Sequence, residues 1–335
     1  MKIGIMLFIV SSMAVSILTL AQENCRVLRT TDPKTDVWIT AENIKESGEY
    51  CLSHDIEAPR VYGVFGERGF PNSEMLRIEA SDVVFDLHEH AMNVEAVGMV
   101  GISAGDWKKP PSQKRITIRN GIVRSRTRTA IAFNAPDGSL ISDFAIHEDQ
   151  AFATKKFRGI LEKLPKSARD YERTNYLVER MRVQSEGINT SHICPYCKSV
   201  SMKGAANIIR NSTIEVTDGH AAIYLFGPNQ LIENNIIIFK GKAAVESAAA
   251  IKLHQADGTI IRNNDIIIES TGDEAPKAAI SLIDSKNVIA ENNRIYGIKA
   301  LAHAWDDKSS LIDRNNEFRS MLRRPWPSAE PGVRP

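Results

Sequence analysis

Two apolar residues, a polar one, an Asn pair or Asn-Ser, then a return to apolar: this order recurs along the second half of the chain. It runs Ile208-Ile209-Arg210-Asn211-Ser212-Thr213-Ile214, then Leu231-Ile232-Glu233-Asn234-Asn235-Ile236-Ile237, then Ile260-Ile261-Arg262-Asn263-Asn264-Asp265-Ile266. A degraded copy spans Val288 to Ile295, and the last is Leu311-Ile312-Asp313-Arg314-Asn315-Asn316-Glu317-Phe318. The positions Asn211, Asn234, Asn263, Asn292 and Asn315 are 23, 29, 29 and 23 residues apart. A period of about 20–30 residues with short β-type apolar runs predicts a solenoid whose coils share one continuous core.

A second phrase lies between the Asn motifs: Ala130-Ile131-Ala132-Phe133, Ala222-Ile223-Tyr224-Leu225, Ala250-Ile251-Lys252-Leu253, Ala279-Ile280-Ser281-Leu282 and, at the end, Ala300-Leu301-Ala302-His303. Each coil then holds three strands: one before the Asn turn, one after it, and one built on Ala-Ile-x-Leu. Asn suits the tight turn because it tolerates left-handed backbone and can satisfy buried polar groups. Earlier coils read from Ile116 to Val123 around Asn120, from Ile141 to Ile146 around Asp143, and, more poorly, from Val178 to Val183 around Arg180. Short strands at Val37 to Thr40 and Gly48 to Leu52 precede a first regular run at Val83 to Leu87. A β-propeller needs about 40–50 residues per blade, and a leucine-rich repeat needs a helix that 23 residues with three strands leave no room for.

Residues 76–318 resemble the right-handed parallel β-helix of the pectate-lyase-like superfamily, Asn ladder included. The fold class expected is therefore all-β: a right-handed parallel β-helix solenoid of about eight or more three-strand coils, with an N-terminal cap over 22–75 and a C-terminal cap or tail over 319–335. The resemblance implies a substrate groove along the Ala-Ile-x-Leu strand, whose outward positions are Ala132, Ser201, Tyr224, Lys252, Ser281 and Ala302, with His303 in an inward slot. One wall would carry Asp218, His220, Glu246, Asp273 and Glu274; the other Trp107, His254, Gln255, Asp257, Asp284, Trp305 and Asp306.

Tyr224 and Lys252 stand one coil apart, about 4.8 Å between strands. With His220 and His254 beside them they form a proton-transfer cluster suited to eliminative cleavage of a uronate polymer. That reaction needs a base for the proton next to the carboxylate and a cation for the enolate. The catalytic candidates are thus Tyr224, Lys252, His254 and His220, and the substrate-binding candidates Trp107, Asp218 and Asp284, Trp107 offering an aromatic face for a sugar ring. Hydrolysis would need a pair of carboxylates about 5–10 Å apart, for which Asp218, Asp284 and Glu246 are available. Against both readings, polar side chains are expected on the outer face of any solenoid. The Trp-Ile-Asp-His and Arg-x-Pro-x-x-Arg elements of pectate lyases are missing; Arg323-Arg324-Pro325 has Ser328 where the second Arg belongs. Polygalacturonase and alginate-epimerase signatures are missing too. Calcium would enter as a cofactor by resemblance only.

The first 21 residues are outside this pattern. Lys2, an apolar run from Ile3 to Leu18 and the small-x-small end Thr19-Leu20-Ala21 read as a secretory signal peptide, giving a secreted or periplasmic protein without a stable membrane anchor. The remainder carries 41 basic and 41 acidic residues, a balance that argues against nucleic acid as partner. Export permits disulfides among the four cysteines. Cys25 and Cys51 are expected to bridge; Cys194 and Cys197, in Cys-Pro-Tyr-Cys, form either a structural disulfide or a redox centre, though the βαβ context of the latter is absent. The basic excursion from Asp149 to Asn175 is either a grip on an acidic polymer or a solvated loop. The functional expectation is an exported protein that binds or processes a polysaccharide as a lyase, hydrolase or epimerase. The alternatives are a non-catalytic adhesion or scaffold protein and, third, a periplasmic accessory to metal-centre assembly.

Overall fold

In the computed structural model the described residues are 25–28, 43–58, 74–95, 100–105, 112–126, 129–134, 173–186, 197–270 and 272–320. The expected signal peptide, the Val37 to Thr40 strand, Trp107, the coil around Asp143, Cys194, nearly all of the 149–175 excursion and the Arg323-Arg324-Pro325 element lie outside them.

Every coil from residue 208 onward repeats three strands. The strand before the Asn turn is β12 (Ile208–Arg210), β15 (Leu231–Glu233), β18 (Ile260–Arg262), β21 (Val288–Glu291) and β24 (Leu311–Arg314). The strand after it is β13 (Thr213–Thr217), β16 (Ile236–Lys240), β19 (Asp265–Glu269), β22 (Arg294–Tyr296) and β25 (Glu317–Arg319). The third is β14 (Ala221–Phe226), β17 (Ala249–His254), β20 (Ile280–Ile283) and β23 (Ala302–Ala304). Upstream, β8 (Ile116–Arg126) and β10 (Leu177–Glu186) run through the Asn120 and Arg180 corners as single long strands. Each strand pairs in parallel with its counterpart one coil away, as in Ile209↔Ile232 and Ile232↔Ile261. Parallel strands joined by crossovers take the right-handed sense; the protein is a right-handed parallel β-helix. Parallel pairing extends into the segment read as an N-terminal cap: β2 (Gly48–Cys51) pairs with β5 (Val83–Asp86), and β3 (Ile56–Ala58) with β6 (Ala91–Val94). Cys25 and Cys51 form a disulfide with Cα atoms 5.8 Å apart, which ties the first strand, β1 (Arg26–Val27), to β2.

Alternation explains the core. Ile209, Ile232 and Ile261 stack on one wall, Ile214, Ile237 and Ile266 on the second, and Ile223, Ile251 and Ile280 on the third, all fully buried. Burying a side chain of this size contributes about 1.5–3 kcal/mol. In the last coil, register puts Asp313 opposite Ala290, in the apolar column. A carboxylate there ends the stack, and its neighbours Ile312 and Phe318 are 40% and 47% exposed.

The Asn pair divides its labour. The first member adopts left-handed backbone: Asn120, Asn211, Asn234, Asn263, Asn292 and Asn315 have φ between +52° and +57°, as does Arg180. The second member points inward and makes the ladder. The Asn264 side chain accepts from the backbone and side-chain N–H groups of Asn235, both at 3.0 Å, and donates to the Ile232 carbonyl at 3.0 Å and to Asn293 Oδ1 at 2.9 Å. Asn293 repeats this toward Asn316. Each buried amide is thereby satisfied by the coil above and the coil below. Just before the turn, an outward column alternates in sign: Arg119, Glu179, Arg210, Glu233, Arg262, Glu291 and Arg314. Its forks, such as Arg262 onto Glu233 at 2.9 and 2.7 Å, pin the same register.

Candidate functional site

The third sheet carries the outward row from which the site is built. In β14, Ile223 and Leu225 face the core while Tyr224 and Phe226 face outward. Register aligns Ser201 of β11 (Lys198–Lys203) with Tyr224, Tyr224 with Lys252, and Lys252 with Ser281. At the last step the chain departs from expectation. Ala302 pairs with inward Ile280, and His303 pairs with outward Ser281. The expected assignment of Ala302 outward and His303 inward is therefore off by one residue. The sequence Ala-Leu-Ala-His offers little hydrophobic contrast between the two faces, and a one-residue slip exchanges them.

A second correction concerns exposure. The outward row is not an open groove: Tyr224 is 3% exposed, Lys252 4% and Ser201 0%. Three cationic or basic groups share this closed space. Lys252 Nζ lies 2.6 Å from His220 Nε2 and 2.5 Å from Ser247 Oγ. Lys252 Nζ and Lys198 Nζ both lie near the Tyr224 ring, 5.1 and 5.0 Å from its centroid. His220 meets the same ring edge-on at 5.2 Å. No carboxylate among the described residues pairs with Lys252.

Electrostatics follows from this packing. Burial, reinforced by Lys198, holds the Lys252 amine well below the ordinary lysine value. Burial, then Lys252, then Lys198, push His220 well below the ordinary histidine value. Both groups are thus shifted toward their neutral forms. The Nδ1 atom of His220 and the Ser201 hydroxyl are buried with no hydrogen-bond partner.

The structure brings His220, Tyr224 and Lys252 together and sets the other candidates apart. His254 leans on Phe226, with ring centroids 5.4 Å apart, one outward position further along the strand. The Asp218 carboxylate accepts from the Lys242 backbone at 2.7 Å, and a Cβ on Gly241, whose φ is +69°, would collide with it. Asp284 accepts from Gln255 at 3.1 Å and donates its backbone N–H to Asp306 at 2.6 Å. Asp218 and Asp284 both have left-handed backbone, so their side chains are engaged in stacking turns. Glu246 pairs with Lys277, and Lys277 lies 4.7 Å over the Trp305 ring. Trp305 in turn donates to Ser281 at 2.9 Å and packs edge-on against His303. Trp107 lies outside the described residues.

Sequence reasoning missed Lys198 and Ser247. Lys198 stands opposite Ala221 and is 1% exposed; register shows its pairing but not its burial, and a lysine is expected at the surface. Ser247 sits in the loop before β17, outside the repeat, and its only signal is a position five residues ahead of Lys252.

Cys25, Cys51 and His88 place ligand-type atoms within 4.8 Å of one another, beside a cavity of about 140 Å³ lined also by Asp86 and Arg119. The disulfide occupies both sulfurs, which leaves no thiolate to bind a metal. Cys197 is disulfide-bonded as well.

Strand register, inward columns and Asn ladder define a right-handed parallel β-helix repeat protein. Consistently, residues 196–322 match the family described as the right handed beta helix region. No curated protein and no solved structure matches the chain. No described helix is long and apolar enough to cross a membrane.

Proposed function

We propose that this is an exported β-helix protein that binds and processes an acidic polysaccharide on the outward row of its third sheet, by proton abstraction and elimination. The observation that carries the reading is the Lys252 amine, buried without a carboxylate among the described residues and set beside His220 and the Tyr224 ring. A neutral amine is a competent base for the proton next to a uronate carboxylate. Lys198, 5.0 Å from the centroid of the same ring, supplies positive charge for the enolate. Tyr224 is the acid that protonates the departing sugar oxygen. The fold supports the polymer as substrate, because successive coils repeat the same surface along one axis. The Cys25–Cys51 disulfide fits an oxidising, extracytoplasmic compartment.

A second reading is a non-catalytic adhesion or scaffold protein. On its side is the closure of the same row, with Tyr224 and Lys252 both under 5% exposed. A panel of polyuronates and neutral glycans separates the two. Elimination gives a rise in ultraviolet absorbance from the unsaturated product, and hydrolysis gives reducing ends without it. Silence in both assays with glycan binding retained would leave the scaffold reading and end the catalytic one.

A further inference from the structure

We infer that Ser247 and Lys252 form a serine–lysine dyad that cleaves carboxylic esters of small acyl groups. The inference rests on the reading of Lys252 as a base, and not on the identity of the glycan.

The geometry is a chain of three atoms. Ser247 Oγ lies 2.5 Å from Lys252 Nζ, and Nζ lies 2.6 Å from His220 Nε2. A neutral amine has one lone pair and two N–H groups. In the structure Lys252 Nζ donates to Ser247 Oγ; with the amine neutral, rotation about Cε–Nζ turns its lone pair to the Ser247 hydroxyl, while an N–H donates to the Nε2 lone pair of a neutral imidazole whose proton sits on Nδ1. An ammonium would have no lone pair to offer the hydroxyl. Burial and the neighbouring Lys198 favour the neutral amine. The titratable and charged groups facing it are His220 and Tyr224 from the coil before, and Lys198 near the same ring, with no carboxylate among the described residues.

Accessibility is graded in the right direction. Lys252 and His220 are buried while Ser247 is only half-buried, so the nucleophile is the member that a substrate can reach. Ser247 follows Glu246 in a loop whose remaining buried neighbours are small: Ala244, Ala248 and Ala249. Side chains this small favour a small acyl group over a bulky one.

The step balances with water as co-reactant. The Oγ–H proton passes to Nζ as Oγ bonds to the ester carbonyl carbon. The tetrahedral intermediate collapses by breaking the bond to the alkoxy oxygen, which leaves with the proton from Nζ. Water then gives a proton to Nζ and attacks the acyl-serine, and the released Oγ takes that proton back. No oxidant or reductant is involved.

The test uses the full chain, a fluorophosphonate probe with mass-spectrometric mapping of the labelled residue, and 4-nitrophenyl acetate as substrate. The expected result is a label on Ser247 in the wild type and none in Ser247→Ala. Lys252→Met should lose about 10²–10⁴-fold in labelling rate, the range for removing a general base. Lys252→Arg should not restore it, because a guanidinium stays protonated. The wild-type rate should reach its plateau at a pH below the ordinary lysine value. An unlabelled wild type, a label on another serine, or full labelling of a natively folded Lys252→Met would overturn the dyad. The two chemistries separate by readout, since ester cleavage labels Ser247 and releases 4-nitrophenolate while elimination gives the ultraviolet rise of an unsaturated product, and Lys252→Met should remove both.

Discussion

Two buried polar stacks run along this solenoid, one at the Asn corner and one on the outward row of the third sheet, and they are built on opposite principles. At the corner, Asn235, Asn264 and Asn293 are identical, neutral and complete: each donor has an acceptor one coil away. On the third sheet, Ser201, Tyr224, Lys252 and Ser281 differ from coil to coil. There, among the described residues, a lysine is buried without an acid, and His220 Nδ1 and Ser201 Oγ have no partner. Repetition satisfies a structural stack, because each member supplies what the next one needs. An irregular stack with open valences costs stability, and such a cost is characteristic of sites whose remaining partner comes from outside.

The largest effect expected is at the corner. Asn264→Ala strips the acceptor from two Asn235 N–H groups and the donor from the Ile232 carbonyl. At about 1–3 kcal/mol per buried group left unsatisfied, a loss of roughly 3 kcal/mol or more is expected in denaturant unfolding. Lys252→Met should have the opposite sign. It removes an amine with no counter-charge and keeps the volume, so stability should stay level or rise by up to ~2 kcal/mol while activity disappears. A loss as large as that of Asn264→Ala would erase the contrast between the stacks.

Stability against pH sharpens it further. Lys252 and His220 bind protons less readily folded than unfolded. The unfolded chain therefore holds more protons in the windows below the ordinary values of 10.5 and 6.5, and stability must rise with pH through each. Each group contributes at most ~1.4 kcal/mol per pH unit within its window. The wild-type unfolding midpoint should climb as pH rises toward the ordinary lysine value of 10.5, and Lys252→Met should flatten that climb. A wild-type midpoint that falls over the same interval would mean that the amine is charged and paired.

The smallest effect separates the two members of each Asn pair. Asn263→Gly should be nearly neutral, since glycine adopts the φ of +56° without cost. Asn263→Ala should lose about 1–2 kcal/mol, the cost of left-handed backbone for a residue with a Cβ. Neither should approach Asn264→Ala.

Much of this was legible in the chain. The Asn period gave the coil, the inward isoleucines gave the core, and matching Ala-Ile-x-Leu phrases gave the Tyr224–Lys252 register. Which Asn turns and which one stacks was less plain, although Ser212 replacing the second Asn after Asn211 marks that position as the variable one. The His303 slip arose where alanines leave the two faces of a strand alike. Burial of the outward row was not legible, because alternation says which way Tyr224 points and nothing of what lies beyond it. Lys198 and Ser247 were hidden for related reasons: a lysine is expected at the surface, and a loop outside the repeat has no register to read.

The central claim is that Lys252 is a neutral amine held as a base, and its ionisation is directly measurable. With lysine labelled with carbon-13 at Cε, and the Lys252 signal assigned by its loss in Lys252→Met, a pH titration by nuclear magnetic resonance reports that group alone. The account predicts a midpoint well below the ordinary lysine value of 10.5. A midpoint at or above it would contradict both the elimination base and the Ser247 dyad.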